Sequence, residues 1–278
     1  MNRYFQILAL MCVAFLAGPA GAEEPAEIVV SAGASLKDAF KEIAGEFGKE
    51  NPGAKVRFNF SSSGVLVNQI EQGAPVTVFA SPSPEDVARL GKGGFIQQEA
   101  VFAHNTMVLL VGNQARDRIK GMADLATEPV RLVMSAKHVP AARYAREVLR
   151  KADESNLYGP DYSKRVLAKT ISEEMDVRMT AMKVAVGEGD AAFAYYSDIT
   201  GDIRQRVQAV PIPEAINSRV NFSMAVLKNA PQAALGQKFY DFVLSERAQA
   251  ILERHGFQSR RSLTSAPVAS SAAGEAGR

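Results

Sequence analysis

The stretch VVSAGASLKDAFKEI, Val29 to Ile43, starts as an apolar strand and resumes as an amphipathic helix. Between the two lie only small residues, Ser31, Ala32, Gly33, Ala34 and Ser35. No base, metal ligand or phosphate-loop lysine interrupts them. From Leu36 onward, Phe40, Ile43 and Phe47 recur at three- and four-residue steps, which predicts one buried helical face. Ser35 is expected to cap that helix, with Asp38 as the acid of a short capping box.

The same unit recurs along the chain. Short β-branched runs read as buried strands: EIVVSAG, VRFNFSS, VTVFAS, MVLLVG, VRLVMS, AFAYY, VQAVPI and NFSMAVL. Helical patterns separate most of them. PAARYAREVLRKA carries Pro140 in its first turn and turns Ala145, Val148 and Leu149 inward. A further helix runs from Glu173 to about Val186 and stops at GEGD. Such alternation predicts α/β layers with mostly parallel strands.

Three of these junctions share a chemistry. After Val29–Gly33 comes Ser35; after Phe60 come Ser61, Ser62, Ser63 and Gly64; in SAKHVPAARYA, Pro140 presets the helix and Ala141 leaves its N–H unobstructed. Helix N-termini carry free N–H donors and the positive end of the dipole, which suits an anion. Ordinary capping accounts for any one of them. Three in one chain can converge on one cleft.

Composition narrows the function classes. A basic start at Arg3, an apolar run from Ile7 to Leu16 and small residues at Ala20 and Ala22 form a secretory signal peptide, cut after Ala22. That run is too short for a membrane span. Bulky Met11 before Cys12 argues against a lipidated cysteine. Cys12 is the only cysteine, so the mature chain is predicted to have no disulfide, thiolate chemistry or cysteine zinc site. Without Arg3 the 32 basic residues fall to 31, against 30 acidic ones, which gives no electrostatic case for nucleic acid or anionic membrane. The tail TSAPVASSAAGEAGR reads as polar and disordered, and no tandem repeat is present.

The segments AGASLKDAF, FNFSSSGVLVNQIEQGAP, KHVPAARYA, EMDVR and AYYSD, with ILERHGF near the end, occur in the order and approximate spacing of the periplasmic molybdate-binding proteins, which the chain resembles from about Glu27 to Phe257. These are the substrate-binding components of molybdate ABC importers. The resemblance implies a two-lobed periplasmic binding protein, each lobe a mostly parallel sheet flanked by helices, with the ligand in the interlobe cleft. It implies lobe I over 23–105 and 219–263, lobe II over 106–218, and a tail from 264 to 278. It also implies that Ser35 and Ser63 donate through hydroxyl and backbone N–H, Ala141 and Val177 through backbone N–H, and Tyr195 through its phenol. The implied ligand is molybdate or tungstate, which sequence does not rank. No cofactor is implied; the implied partner is an importer permease, and the chain is expected to be a periplasmic monomer.

Two departures from the family pattern flank the expected cleft: Thr77 where many relatives show aspartate, and SPSPED around Ser81 to Ser83 in place of SAD. Competing readings have weaker support. Adjacent Tyr195 and Tyr196 suggest ferric iron, which would also want a histidine or carboxylate from the other lobe. A sulfate-like oxyanion remains an alternative ligand. Met175, Met179 and Met182 form a stripe that suggests copper, although such a stripe usually belongs to a core. His104, His138 and His255 are scattered and fit no metal motif. An exported oxyanion-ester hydrolase needs a base beside Ser35 or Ser63, and no nucleophile elbow is present. The expectation is therefore a binding protein and not an enzyme.

Overall fold

A computed structural model describes residues 26–260. The signal peptide, its cut after Ala22 and the tail from 264 lie outside the described residues. Strands and helices follow in the order β1 (Glu27–Gly33), α1 (Lys37–Glu50), β2 (Lys55–Ser61), α2 (Ser63–Glu71), β3 (Val78–Ser81), α3 (Pro84–Lys92) and β4 (Ile96–Gly112). Next come α4 (Asp124–Thr127), β5 (Leu132–Ser135), α5 (Pro140–Glu154), α6 (Tyr162–Leu167), β6 (Thr170–Glu174), α7 (Val177–Ala185) and β7 (Ala191–Tyr195). The described residues end with α8 (Gly201–Arg206), β8 (Val207–Pro211), β9 (Arg219–Leu227), α9 (Ala233–Val243), α10 (Glu246–Arg254) and β10 (Gln258–Ser259).

The strands are ordered β2-β1-β3-β9-β4-β7-β5-β6, with β8 and β10 also pairing with β4. Outer strands are parallel, as expected: β1 with β2 and β3, β5 with β6 and β7. The central strands β4 and β9 run antiparallel to their neighbours, so each sheet is mixed. The cause is the connection between halves. β4 leaves the first half for the second, and the chain comes back into the first along β9. The sequence reading caught only the MVLLVG end of β4 and missed β6 altogether.

β4 changes partners midway. Up to Thr106 it pairs with β9; from Met107 it pairs with β7, and from Val108 with β8. Asn217 donates to the Met107 carbonyl at 2.9 Å, tying the returning chain to the change-over point.

Hydrophobic periodicity placed the core correctly where it was strongest. Leu36, Phe40, Ile43 and Phe47 are buried, and Phe40 meets Phe102 and Phe239 at ring separations of 5.6 and 6.2 Å. Burying each such ring contributes about 1.5–3 kcal/mol. Ala145, Val148 and Leu149 of α5 turn inward as expected. α7 differs from expectation in two ways. It starts at Val177, because Glu173 and Glu174 belong to β6 and Asp176 caps the helix by accepting from the Met179 N–H at 2.9 Å. Its buried face is Val177, Thr180, Ala181, Val184 and Ala185, so Met175, Met179 and Met182 are exposed and not core. Small residues let α7 lie close to β5 and β7, and the bulky methionines point to solvent.

Candidate functional site

All five residues implied by the resemblance line one cavity. Ser35, Ser63, Ala141, Val177 and Tyr195 line it with Gly33, Ala34, Ser61, Ser62, Pro82, Val139, Pro140 and Asp176, and the space between them is small. Its walls are chain turns that leave donors free. Ser35 sits in a 3-10 turn, Ala34–Leu36, leading into α1. Ser63 is the first residue of α2, Ala141 the second of α5 and Val177 the first of α7. First-turn N–H groups have no intrahelical acceptor, so four positive dipole ends face one space. The fourth, at Val177, was hidden by the misplaced start of its helix.

The hydroxyls carry the clearest signal. Ser35 Oγ, Ser62 Oγ, Ser63 Oγ and Tyr195 Oη are buried and have no hydrogen-bond partner. A buried unpaired polar group costs about 1–3 kcal/mol, so four around one cavity mark a place built for an acceptor. Ser35 does not cap α1 as expected: neither it nor Leu36 makes a side-chain cap, and Asp38 reaches elsewhere. The missing cap leaves the Ser35 hydroxyl available. Ser62, the N-cap residue of α2, also makes no cap bond and is an additional site hydroxyl. Burial, with smaller contributions from Tyr144 and Asp198, pushes the Tyr195 phenol well above its ordinary pKa, so it remains a neutral donor. Its ring packs edge-on against Tyr144 and Phe222 at 6.3 and 5.6 Å.

No basic side chain lines this cavity, and Asp176 and Asp198 each place one oxygen on a backbone amide. Asp176 is the α7 cap already described. Asp198 is fully buried; its Oδ2 accepts from the Tyr195 N–H at 3.0 Å, while Oδ1 has no partner. Burial pushes its carboxyl up to about 7, with Arg178 pulling the other way.

The departures resolve differently. Thr77 does not flank the cavity. It is buried under β1 and α9, where its Oγ1 accepts from the Val29 N–H at 3.3 Å and donates to the Pro231 carbonyl at 3.1 Å. Pro82 does line the cavity, and a Cβ on Gly33 would come within 2.9 Å of its Cδ. Tyr144 Oη donates to the Pro82 carbonyl at 3.1 Å, across the cleft. The His138 side chain is exposed and lines an outer groove, while its carbonyl oxygen lies 3.4 Å from where a Cβ on Gly64 would sit.

Competing chemistries lose their geometry. Tyr196 is 49% exposed and does not line the cavity, so the two tyrosines do not converge on an iron. Among the described residues no cluster of three His, Cys, Asp or Glu side chains could hold a metal ion. Neither Ser35 nor Ser63 bonds to a base.

Two α/β halves closing on a small cavity of neutral donors define a protein that captures a solute. The chain belongs to the bacterial extracellular solute-binding proteins, whose family model matches residues 28–258. It is therefore a binding protein and not an enzyme. The chain is 32% identical over 241 residues to the molybdate-binding protein ModA of Mycobacterium tuberculosis strain H37Rv, covering 86% of this chain and 87% of the relative. The Azotobacter vinelandii periplasmic molybdate-binding protein superposes with a TM-score of 0.68 at 20% identity, covering 83% of this chain and 98% of that one. The sulfate-binding protein SubI of M. tuberculosis H37Rv superposes with a TM-score of 0.75 at 17% identity, covering 84% and 87%. At those identities the two structures speak for the two-lobed fold alone.

Proposed function

We propose that this protein captures molybdate or tungstate in its interlobe cleft and delivers it to the membrane permease of an ABC importer. The observation that carries the reading is the set of four buried, unpartnered hydroxyls around one cavity. Ser35 and Ser63 donate through hydroxyl and backbone N–H, Ala141 and Val177 through backbone N–H, and Tyr195 through its phenol; Ser62 adds a further hydroxyl. Desolvating an anion costs several kcal/mol per charge, and each hydrogen bond to it returns roughly 1.5–3 kcal/mol. Enough donors from both lobes offset that cost without a lysine or arginine.

The donor set also selects. A fully ionised tetrahedral dianion accepts at every oxygen. Phosphate near neutral pH keeps a proton that would face mainly N–H and O–H groups, and the carboxylates of Asp176 and Asp198 are each held by one oxygen on a backbone amide. Sulfate is ionised but smaller, so it cannot reach the donors of both lobes together. We assign the described residues up to 105 and from 219 onward to lobe I and 106–218 to lobe II; the change of partners in β4 supports the division. The mature protein is periplasmic and monomeric, released by cleavage after Ala22. Calorimetry of the mature chain with molybdate, tungstate, sulfate and phosphate tests the reading. Tight binding of the first two, weak sulfate and no phosphate are expected. Phosphate displacing molybdate at comparable concentration would show that the site is not donor-only.

A further inference from the structure

Two of the donor-bearing turns are followed by charged residues that meet across the cleft. Asp38 lies three residues after Ser35, in the first turn of α1, and Arg178 directly follows Val177 in α7. Arg178 Nη2 donates to Asp38 Oδ2 at 2.7 Å, and Thr200 Oγ1 donates to the same oxygen at 2.9 Å. Arg178 Nη1 donates to Thr200 Oγ1 at 2.8 Å, which closes a three-membered ring of bonds. Burial would raise the Asp38 carboxyl, but the charge of Arg178 and the bonds from Thr200 and Arg178 outweigh it, so the group is held below its usual range.

The set joins the two halves, since α1 packs against β2 and α7 against β5, β6 and β7. The neutral Tyr144–Pro82 bond also crosses the cleft, and the other charged tie there is weaker by its setting. Arg143 meets Glu85 at 2.7 Å, but their side chains are 42% and 65% exposed, and pairs that open to water contribute little. Arg178 and Asp38 are 23% and 36% exposed and share a third partner. None of Asp38, Arg178 and Thr200 lines the cavity.

We propose that Asp38, Arg178 and Thr200 form a latch that forms when the lobes close and holds the donors of Ser35 and Val177 on the trapped oxyanion. They are positioning residues, and the inference rests on the oxyanion reading of the cavity. Because the latch acts only once the lobes have closed, with or without ligand between them, it governs departure more than arrival.

Stopped-flow kinetics with molybdate test it on the wild type, Asp38→Asn, Arg178→Gln, the double variant and Arg178→Lys. Each neutral variant should speed dissociation about five- to tenfold, beyond what an exposed pair supports, with association nearly unchanged. The double variant should be no worse than the worse single one, and Arg178→Lys should recover part of the loss. Unchanged dissociation, additive losses or a loss confined to association overturns the latch. Spin labels placed across the cleft read it without ligand: Asp38→Asn should shift the distance distribution towards open, and identical distributions count against it. Failure of the wild type to bind any tetrahedral oxyanion refutes the functional reading instead, leaving the label distances to judge the latch.

Discussion

Tyr195→Phe should move affinity and stability in opposite directions. The phenol is fully buried, its oxygen has no partner, and its ring is held by Tyr144 and Phe222. Phenylalanine keeps both ring contacts and removes only the donor. A hydrogen bond to a charged acceptor contributes about 1.5–3 kcal/mol, so molybdate affinity should fall roughly 10- to 150-fold. In the ligand-free protein the same change removes an unpaired buried hydroxyl, which costs about 1–3 kcal/mol. The ligand-free melting temperature should therefore hold or rise. Calorimetric titration and thermal denaturation on the same preparation separate the two effects. Unchanged affinity, or a lower ligand-free melting temperature, refutes the assignment of the phenol as a donor waiting for an anion. Tyr196→Phe is the control: that residue is exposed and should change neither quantity.

Val177→Pro removes one backbone donor and little else, because proline suits a first helical position and Asp176 before it is already extended at φ −152° and ψ 168°. Affinity should drop by about 1.5–3 kcal/mol in calorimetry while helix content by circular dichroism stays constant. Asp198 titrates at about 7 when folded, above its unfolded value, so the folded state binds the extra proton and stability falls as pH rises from about 4 to 7. Asp198→Asn keeps an acceptor for the Tyr195 N–H and should flatten that part of the melting profile relative to wild type; parallel profiles would argue that Asp198 does not titrate there. Ser62→Ala should weaken molybdate binding without loss of ligand-free stability, since its hydroxyl caps nothing; unaltered affinity in the same titration removes it from the site.

Much of this site was legible because its parts are local. A strand, a run of small residues and a helix are read from adjacent positions, and Ser35, Ser63 and Ala141 each follow from one junction. Tyr195 and Tyr196 part because the strand ends at Tyr195 and Tyr196 begins a 3-10 turn. Ser62 was passed over because three adjacent serines look alike until the backbone fixes which hydroxyls turn inward. Periodicity found the stripe of Met175, Met179 and Met182 but not its direction, because the opposite face is filled by residues too small to dominate a hydrophobic pattern. Asp38 was misread for a different reason. Three residues after a serine it has the spacing of a local cap, whereas its partner is 140 residues away. Such a bond leaves no mark in either segment alone. Thr77 shows the same limit, since its acceptor lies 154 residues on, at Pro231.

The placement of β9 between β3 and β4 also sets the order in which the molecule can be assembled. Ser81 at the end of β3 pairs with Ser223, so the edge of β3 waits for chain 142 residues further on (223 minus 81). At about 5–20 residues per second, synthesis leaves that edge unpaired for roughly 7–30 s. The second sheet needs only β4 to β8 and can close earlier, around a nucleus drawn from nearer neighbours. β1, β2 and β3 can pair with one another early, but the free side of β3 is completed only by β9. An open strand edge is a template for pairing with other chains. On a nascent or translocating chain, the free side of β3 is therefore such an edge until β9 arrives.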